Sequence, residues 1–131
     1  MKYLSEYVQD AQTQAFKDAG AFFAFSNKQL DEQKEPGITY TAMFAGLVCP
    51  VDNAKELVTA LGDIHDAGIA QDIEENGIKG IIHRELANHE AQITNDIEDT
   101  FDALEQYGIT REAIDAEYGA FFQHCVDNDY F

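Results

Sequence analysis

Apolar and polar positions alternate with a helical period at the start of the chain. Apolar side chains fall three or four residues apart over residues 3–19, and Gly20 follows as a C-terminal stop, which predicts a helix. The apolar stretches 21–26 and 38–49 are instead rich in aromatic and β-branched residues, which predicts two strands. The polar connection between them ends in the turn pair Pro36-Gly37, so we expect an antiparallel hairpin.

Helical patterns follow Pro50. A helix beginning near Asp52 carries one apolar face until Gly68, and the short segment 69–77 adds two turns. From Ile78 the apolar positions stay on one stripe for about thirty residues, which predicts one long helix of about 45 Å. Most of the chain is therefore expected to be helical.

The long helix has an alternative interpretation. Asn95 and Glu98 have the spacing of an N-terminal capping box, which would break the helix at Thr94-Asn95. Gly108 ends it in either case, and Thr110 caps a last helix. The predicted inner face of that helix consists of Ile114, Tyr118, Phe121, Phe122 and Cys125.

These elements predict one α+β domain over residues 1–131 that is mostly helical. A two-stranded antiparallel hairpin packs against about four helices, including the long one. Because a hairpin is marginal by itself in water and both of its faces are apolar, helices or a second subunit must cover it. A length of 131 residues fits a single core.

The charge of the chain excludes several partners. Eight lysine and arginine residues stand against 25 aspartate and glutamate residues, for a net charge of −17. This charge disfavours direct binding to nucleic acid and to anionic membranes. No apolar run approaches the ~20 residues that span a bilayer, and the N-terminal residues lack the apolar core of a signal peptide. We therefore expect a cytoplasmic protein.

The sequence contains no motif for nucleophilic or nucleotide chemistry. No glycine-flanked serine elbow and no phosphate-binding glycine loop is present. Cys49 and Cys125 lie far apart and outside any CxxC pattern, so we expect both to be reduced packing residues. We expect no cofactor and favour a non-enzymatic protein.

His89 is the most unusual residue of the predicted long helix. On a helical projection it faces the apolar stripe, with Glu85 and Asp96 on the same side. We favour a structural histidine that a carboxylate orients. The alternative is a ligand or metal site at these three residues, although their spacing matches neither HExxH nor Glu-x-x-His. His83 on the flank and Arg84 on the opposite side are expected to be solvated.

Acidic residues dominate the C-terminal third of the chain. From Glu90 to Phe131 there are eleven acidic residues and one basic residue, a net charge of −10. This charge indicates either solubility or salt adaptation, or a surface that imitates nucleic-acid phosphates. The predicted interaction residues are Glu90, Asp96, Glu98, Asp99, Asp102, Glu105, Glu112, Asp115 and Glu117.

Aromatic residues in and around the predicted hairpin indicate self-association. Two apolar strand faces are difficult to cover in a domain of this size, so we expect a homodimer in spite of the charge. The predicted interface residues are Phe22, Phe23, Phe25, Tyr40 and Phe44.

A resemblance to one group of proteins rests on the segments GAFFAFSNKQ, AGLVCP, IAQDIEENG, RELANHEAQI and DIEDTFDALEQYGIT. Over nearly the whole chain the sequence resembles small uncharacterised acidic proteins encoded on bacteriophage and prophage genomes. The resemblance implies a viral accessory setting and no assigned activity, cofactor or catalytic residue. We therefore expect an accessory protein whose acidic helical face meets a basic host protein, as a nucleic-acid mimic or an inhibitor of host machinery. The alternative is a small metal- or ligand-binding protein or enzyme that uses His89, Glu85 and Asp96.

Overall fold

The computed structural model describes residues 1–131 and confirms a mostly helical α+β protein. Its helices are α1 (Leu4–Ala19), α2 (Asn27–Gln33), α3 (Val51–Asn88), α4 (Ala91–Thr94), α5 (Glu98–Leu104) and α6 (Arg111–Asn128). Its strands are β1 (Phe22–Phe23), β2 (Tyr40–Ala42) and β3 (Leu47–Pro50). None of the helices combines the length and the apolar character needed to cross a membrane.

The chain divides into two compact units. The first, which we call the sheet unit, comprises residues 3–68, and the second, the helical unit, comprises residues 1–2 and 69–131. Helix α3 contributes residues to both. The single domain expected from the length of the chain remains a prediction.

The sheet has three strands, so the prediction of a two-stranded hairpin is wrong. The expected strand over 38–49 is divided by a tight turn, in which the N–H of Leu47 donates to the carbonyl of Phe44 at 2.8 Å. The central residues of the turn, Ala45 and Gly46, have φ angles of 48° and 83°. Two successive positive φ angles suit the twist of a tight hairpin. Alanine at the first of these positions is not a turn signal, so the sequence pattern resembled one strand.

The strand order is β1-β3-β2, and both pairings are antiparallel. The tight hairpin joins β2 to β3 with Thr41 opposite Cys49, and β1 lies on the other side of β3 with Phe22 opposite Val48. The expected pairing between the two apolar segments is therefore present, but only through β3. Every residue of β3 is buried, which makes this central strand the base of the sheet unit.

The polar connection between the predicted strands contains helix α2. The hydroxyl of Ser26 accepts a hydrogen bond from the N–H of Gln29 at 3.2 Å, which caps the start of this helix. The connection therefore has secondary structure of its own, which its polar composition and its turn pair did not predict.

The one long helix of the structure is α3, which lies earlier in the chain than predicted. The expected helix from Asp52 and the short segment 69–77 are both part of it. At Gly77 the backbone adopts φ 70° and ψ 158°, a non-helical conformation that is essentially confined to glycine. The expected stop at Gly77 is therefore a kink inside α3.

The apolar stripe from Ile78 does not form a thirty-residue helix. Helix α3 ends at Asn88, and the chain then adopts positive φ angles at Glu90 and Asn95, of 53° and 54°. The apolar residues of α3, α4 and α5 nevertheless contribute to one core, because short helices separated by turns can direct their apolar faces to a common centre. Periodicity alone therefore could not distinguish these helices from one continuous helix.

The alternative break at Thr94-Asn95 matches the second of these turns. Helix α5 begins after Ile97, however, and the carboxylate of Asp96 accepts a hydrogen bond from the N–H of Glu98 at 2.9 Å. The side chain that caps this region is thus Asp96, one residue beyond the predicted Asn95.

The stop at Gly108 and the cap at Thr110 agree with the prediction, but the predicted inner face of the last helix is wrong at Phe122, which is exposed. Gly108 has a φ of 72°, and the hydroxyl of Thr110 accepts from the N–H of Ala113 at 3.2 Å at the start of α6. Of the predicted inner face, Ile114, Phe121 and Cys125 are buried. The other core residues of the helical unit are Ile81, Ile82, Leu86, Ala91, Leu104 and Ile109.

The sheet unit has a smaller core. Its fully buried members are Leu47, Cys49 and Leu57, with residues of α1 packed against them. Both cysteines are free and buried, as predicted.

Two glycines of α3 provide a matched test of packing in the sheet unit. A Cβ atom at Gly68 would overlap Cγ1 of Val8 in α1, whereas nothing lies within 4 Å of a Cβ at Gly62. We expect Gly68→Ala to lower the free energy of unfolding by about 1–3 kcal/mol, because the added methyl overpacks the contact between the two helices.

The control, Gly62→Ala, should raise the stability by about 0.5–1 kcal/mol, since alanine loses less backbone entropy than glycine in a helix. Denaturant unfolding of both variants measures the difference. A stabilised Gly68→Ala variant would contradict the close approach of α1 to α3.

Candidate functional site

A buried ion pair lies inside the helical unit, between Asp72 and Arg84. Arg84 Nη1 donates to Asp72 Oδ1 at 2.9 Å, and Arg84 Nη2 donates to Asp72 Oδ2 at 3.0 Å. Both side chains are almost completely excluded from solvent. The expectation that Arg84 is solvated is therefore wrong.

The kink at Gly77 makes this ion pair possible. Asp72 and Arg84 are twelve residues apart, which corresponds to about 18 Å along a straight helix and exceeds the reach of an arginine side chain. Bending the helix between them brings the two side chains together. The helical projection placed Arg84 opposite the apolar stripe of the helix predicted from Ile78. It did not include the segment before Gly77, which carries Asp72 and faces Arg84 after the bend.

The carboxylate of Asp72 accepts two further hydrogen bonds. Tyr107 Oη donates to Asp72 Oδ2 at 2.5 Å, and Asn76 Nδ2 donates to Asp72 Oδ1 at 2.8 Å. Burial raises the pKa of the Asp72 carboxyl, but the bonds from Arg84, Tyr107 and Asn76 outweigh burial and hold the pKa below its ordinary value. Burial and the bond to Asp72 raise the pKa of Tyr107 to about 12, so its hydroxyl remains a donor.

The guanidinium of Arg84 also contacts two other groups. Nη1 donates to the backbone carbonyl of Lys2 at 2.7 Å, and Nε donates to Glu85 Oε1 at 3.0 Å. Arg84 therefore connects Lys2, Asp72 before the kink and Glu85 after it by hydrogen bonds. The two carboxylates balance its charge.

A cavity of about 550 Å³ lies beside this network in the helical unit. Apolar side chains of α3 and α6 form much of its lining, among them Ala87, Phe121 and Cys125. Arg84 reaches this lining, so the ion pair supports one side of the cavity. Its size and its mixture of apolar walls with a few polar groups are typical of small-molecule sites.

Glu117 is the acidic residue of the cavity. Its Oε2 lies 3.0 Å from His83 Nε2, and its Oε1 lies 3.9 Å from Lys79 Nζ. The His83 ring also packs edge-on against Phe121, with 5.9 Å between the ring centroids. We expected a solvated histidine and an exposed glutamate here, but both residues are only partly accessible and are hydrogen-bonded to each other.

The three candidate metal ligands His89, Glu85 and Asp96 are not brought together as a metal site. His89 Nε2 lies 3.6 Å from Glu85 Oε2, too far for a hydrogen bond, and Asp96 follows the turn after α4 and accepts a hydrogen bond from the N–H of Glu98. No group of three or more His, Cys, Asp or Glu side chains in the structure is arranged to hold a metal ion. The helical projection failed here because the helix ends at Asn88.

The predicted acidic surface is largely accessible. Of its nine residues, all except Glu117 are exposed. Glu98 is paired with Arg111 through both carboxylate oxygens, and Arg111 also lies over the ring of Phe101, 4.5 Å from the centroid. The single basic residue of the C-terminal third therefore neutralises only one of the exposed carboxylates.

The predicted dimer residues lie in the sheet unit. Phe25, Phe44 and Phe23 have exposed fractions of 73%, 55% and 43%. Phe22 and Tyr40 are half-buried and pack against each other, with 5.4 Å between their ring centroids. Three of the five rings therefore face solvent in the isolated chain.

Comparison with known proteins gives a family but no activity. Residues 4–124 match a family of unknown function (DUF7659). The chain belongs to this family. No curated protein and no solved structure matches it. The match to DUF7659 includes most of the sheet unit and the side chains of the Asp72 network, but it ends before Cys125 and Tyr130 of the cavity lining.

Sequence reasoning missed the roles of Asp72 and Tyr107. Asp72 is an acidic residue in a segment without basic residues, and nothing in its spacing identifies a partner twelve positions later. The available signal was Gly77, because a glycine between an acidic residue and an arginine permits the bend that joins them.

A double-mutant cycle tests the coupling of the buried pair. Asp72→Leu leaves the guanidinium buried with only Glu85 as a counter-charge, and Arg84→Met leaves the Asp72 carboxylate buried without one, so each change should cost about 3–5 kcal/mol of unfolding free energy. The double variant removes both charges and should lose much less than the sum of the two. Denaturant unfolding of the four proteins gives the coupling energy.

The exposed pair provides the control. Glu98→Gln should change the free energy of unfolding far less than either buried substitution, because solvent screens its interaction with Arg111. The two side chains would be shown to act independently if the free energy of unfolding lost in the double variant equals the sum of the losses in the two single variants.

Proposed function

We propose that the protein is a non-enzymatic interaction protein that presents the acidic surface of its helical unit to a basic protein partner. The supporting observation is the exposure of eight of the nine predicted interaction residues. The helical unit holds four lysine and arginine residues and fifteen acidic residues, so 4 − 15 gives a net charge of −11. Two of the four basic residues, Arg84 and Arg111, are already bonded to carboxylates.

Exposed charge of one sign acts mainly on the rate of encounter. It attracts a basic partner over roughly a Debye length, about 8 Å at physiological salt, and the attraction weakens as salt is added. A surface of this kind suits a partner whose basic groove otherwise binds nucleic-acid phosphates. The proposal thus includes a nucleic-acid mimic or an inhibitor of host machinery.

The bacteriophage accessory setting and the cytoplasmic location are parts of the same proposal. The first rests on the resemblance of five segments to phage and prophage proteins. The alternative function at His89, Glu85 and Asp96 has less support, because Asp96 is bonded to the N–H of Glu98 and Glu85 to Arg84.

Capture from a bacterial lysate tests the acidic surface. The immobilised protein should retain a basic nucleic-acid-binding protein at low salt and release it at high salt or on addition of duplex DNA. A neutralised variant should lose this capture because its surface attracts the partner less. Its four substitutions are Glu90→Gln, Asp99→Asn, Asp102→Asn and Glu105→Gln.

The control variant changes the net charge equally in the sheet unit and should still capture the partner. Its substitutions are Asp10→Asn, Glu32→Gln, Glu35→Gln and Asp63→Asn. Equal loss of capture in the two variants would attribute binding to net charge alone, and recovery of only salt-insensitive partners would exclude the proposed surface.

We also propose that a second copy of the chain covers the exposed aromatic residues of the sheet unit. The segments 19–27 and 36–51, which carry these residues, contain no charged residue, although the chain has a net charge of −17. Two equally acidic chains repel each other, so they require an uncharged contact. A basic partner has no such requirement. Charge depletion and aromatic enrichment are typical of interface cores.

Sedimentation at micromolar concentration tests this self-association. The native chain should be dimeric at low salt, and the dimer should persist or strengthen at high salt, because apolar burial is nearly independent of salt while repulsion is screened. The double substitution Phe25→Ser and Phe44→Ser should give a monomer. Phe131→Ser, which changes an exposed ring of the helical unit, should leave the dimer intact. A native monomer at both salt concentrations would exclude the dimer.

A further inference from the structure

We propose that the cavity of the helical unit binds a small organic amine, with its ammonium group at Glu117 and its apolar part against Phe121. This site shares only Glu117 with the predicted interaction residues, and it does not depend on self-association. The proposal rests on the shape of the cavity, on the weak pairing of its only carboxylate, and on the charge of the surrounding unit.

The cavity accommodates an apolar group about the size of a substituted benzene ring. Its volume of about 550 Å³ lies within the range of small-molecule sites. Ala87 from α3 and Phe121 and Cys125 from α6 provide apolar contact. The buried ion pair of Arg84 connects the second half of α3 to Asp72 and so supports this wall.

The C-terminal residues contribute another wall. The N–H of Tyr130 donates to the carbonyl of Cys125 at 2.9 Å, and the carbonyl of Tyr130 accepts from Gln92 Nε2 at 2.9 Å. These bonds hold Tyr130 against the cavity, where its side chain is half exposed. A ring in this position can contact both the apolar part of a ligand and a nearby cation.

Glu117 is the only acidic residue in the cavity lining, and its charge is incompletely paired. Its side chain is 19% exposed, and it has a hydrogen bond to His83 at 3.0 Å. Its other oxygen lies 3.9 Å from Lys79 Nζ, and the Lys79 side chain is 84% exposed. An ion pair that is so long and so exposed contributes little and can be replaced. An ammonium group inside the cavity would approach the same oxygen with less competition from water.

The charge of the helical unit favours a cation over an anion. The unit has a net charge of −11, so it concentrates small cations near its surface and repels small anions. The second basic residue of the lining, Arg84, is fully engaged by Asp72 and does not provide a free charge for an anion. An amine with an apolar body therefore matches both the apolar lining of the cavity and the negative charge of the helical unit.

Three ligands of nearly equal shape distinguish the contribution of charge to the affinity from the contribution of apolar contact. We would titrate the protein with 2-phenylethylamine, 2-phenylethanol and 3-phenylpropionate at low salt, and follow binding by calorimetry and by shifts of amide resonances in α6. The amine should bind at least about tenfold more tightly than the alcohol, because hydrogen bonds to charged groups contribute more than neutral ones. The carboxylate should bind most weakly.

Two substitutions at the cavity should act in opposite directions. Glu117→Gln should reduce the affinity for the amine to that for the alcohol, and Lys79→Ala should increase it several-fold by removing the competing ammonium group. Glu112→Gln, an exposed change of equal charge on the same helix, is the control and should have little effect. Thermal unfolding of each variant confirms that it is folded.

The proposal is overturned if the carboxylate binds most tightly, since the site would then select anions, or if Lys79→Ala weakens the amine, since Lys79 would then not compete with it for Glu117. Equal binding of all three ligands would show apolar contact alone and would also overturn it. The same applies if the amine does not bind. None of these results bears on capture of a basic protein, so the two proposals fail separately.

Discussion

The helical unit depends on one electrostatic constraint, the burial of Arg84. A guanidinium excluded from water requires a counter-charge, and Asp72, on the other side of the bend in α3, contacts it with both carboxylate oxygens. The bend needs a backbone conformation that only glycine adopts readily, and Gly77 supplies it. Tyr107, Asn76, Glu85 and the carbonyl of Lys2 then complete the polar surroundings of the pair. The position of the second half of α3, and hence of the cavity wall, follows from this network.

Local signals in the sequence predicted those elements that local interactions determine. The first helix, the cap at Thr110 and the stop at Gly108 depend on residues within one helical turn, and all three are confirmed. The continuous strand and the thirty-residue helix were wrong because each pattern is compatible with a turn. Ala45 and Glu90 adopt positive φ angles without being glycine or asparagine, so composition gives no warning of the change in direction.

The candidate site was less predictable because it consists of contacts between distant positions. His83 and Glu117 are 34 residues apart, and Asp72 and Tyr107 are 35 apart. A helical projection ranks residues by the side of one straight helix on which they lie, and it therefore favoured His89 over His83. The exposure of the acidic residues was easier to predict, because so many like charges cannot be buried together.

Each unit contains one buried thiol, Cys49 in the sheet unit and Cys125 in the helical unit. Burial raises the pKa of both thiols, so neither presents the thiolate that alkylating reagents and oxidants attack. Cys49 should resist such reagents until the core of the sheet unit opens, so the rate at which it is modified is a measure of local opening. Cys125 lines the cavity, so its rate also reports access to the cavity, and one reagent followed by peptide mapping would report the two units separately.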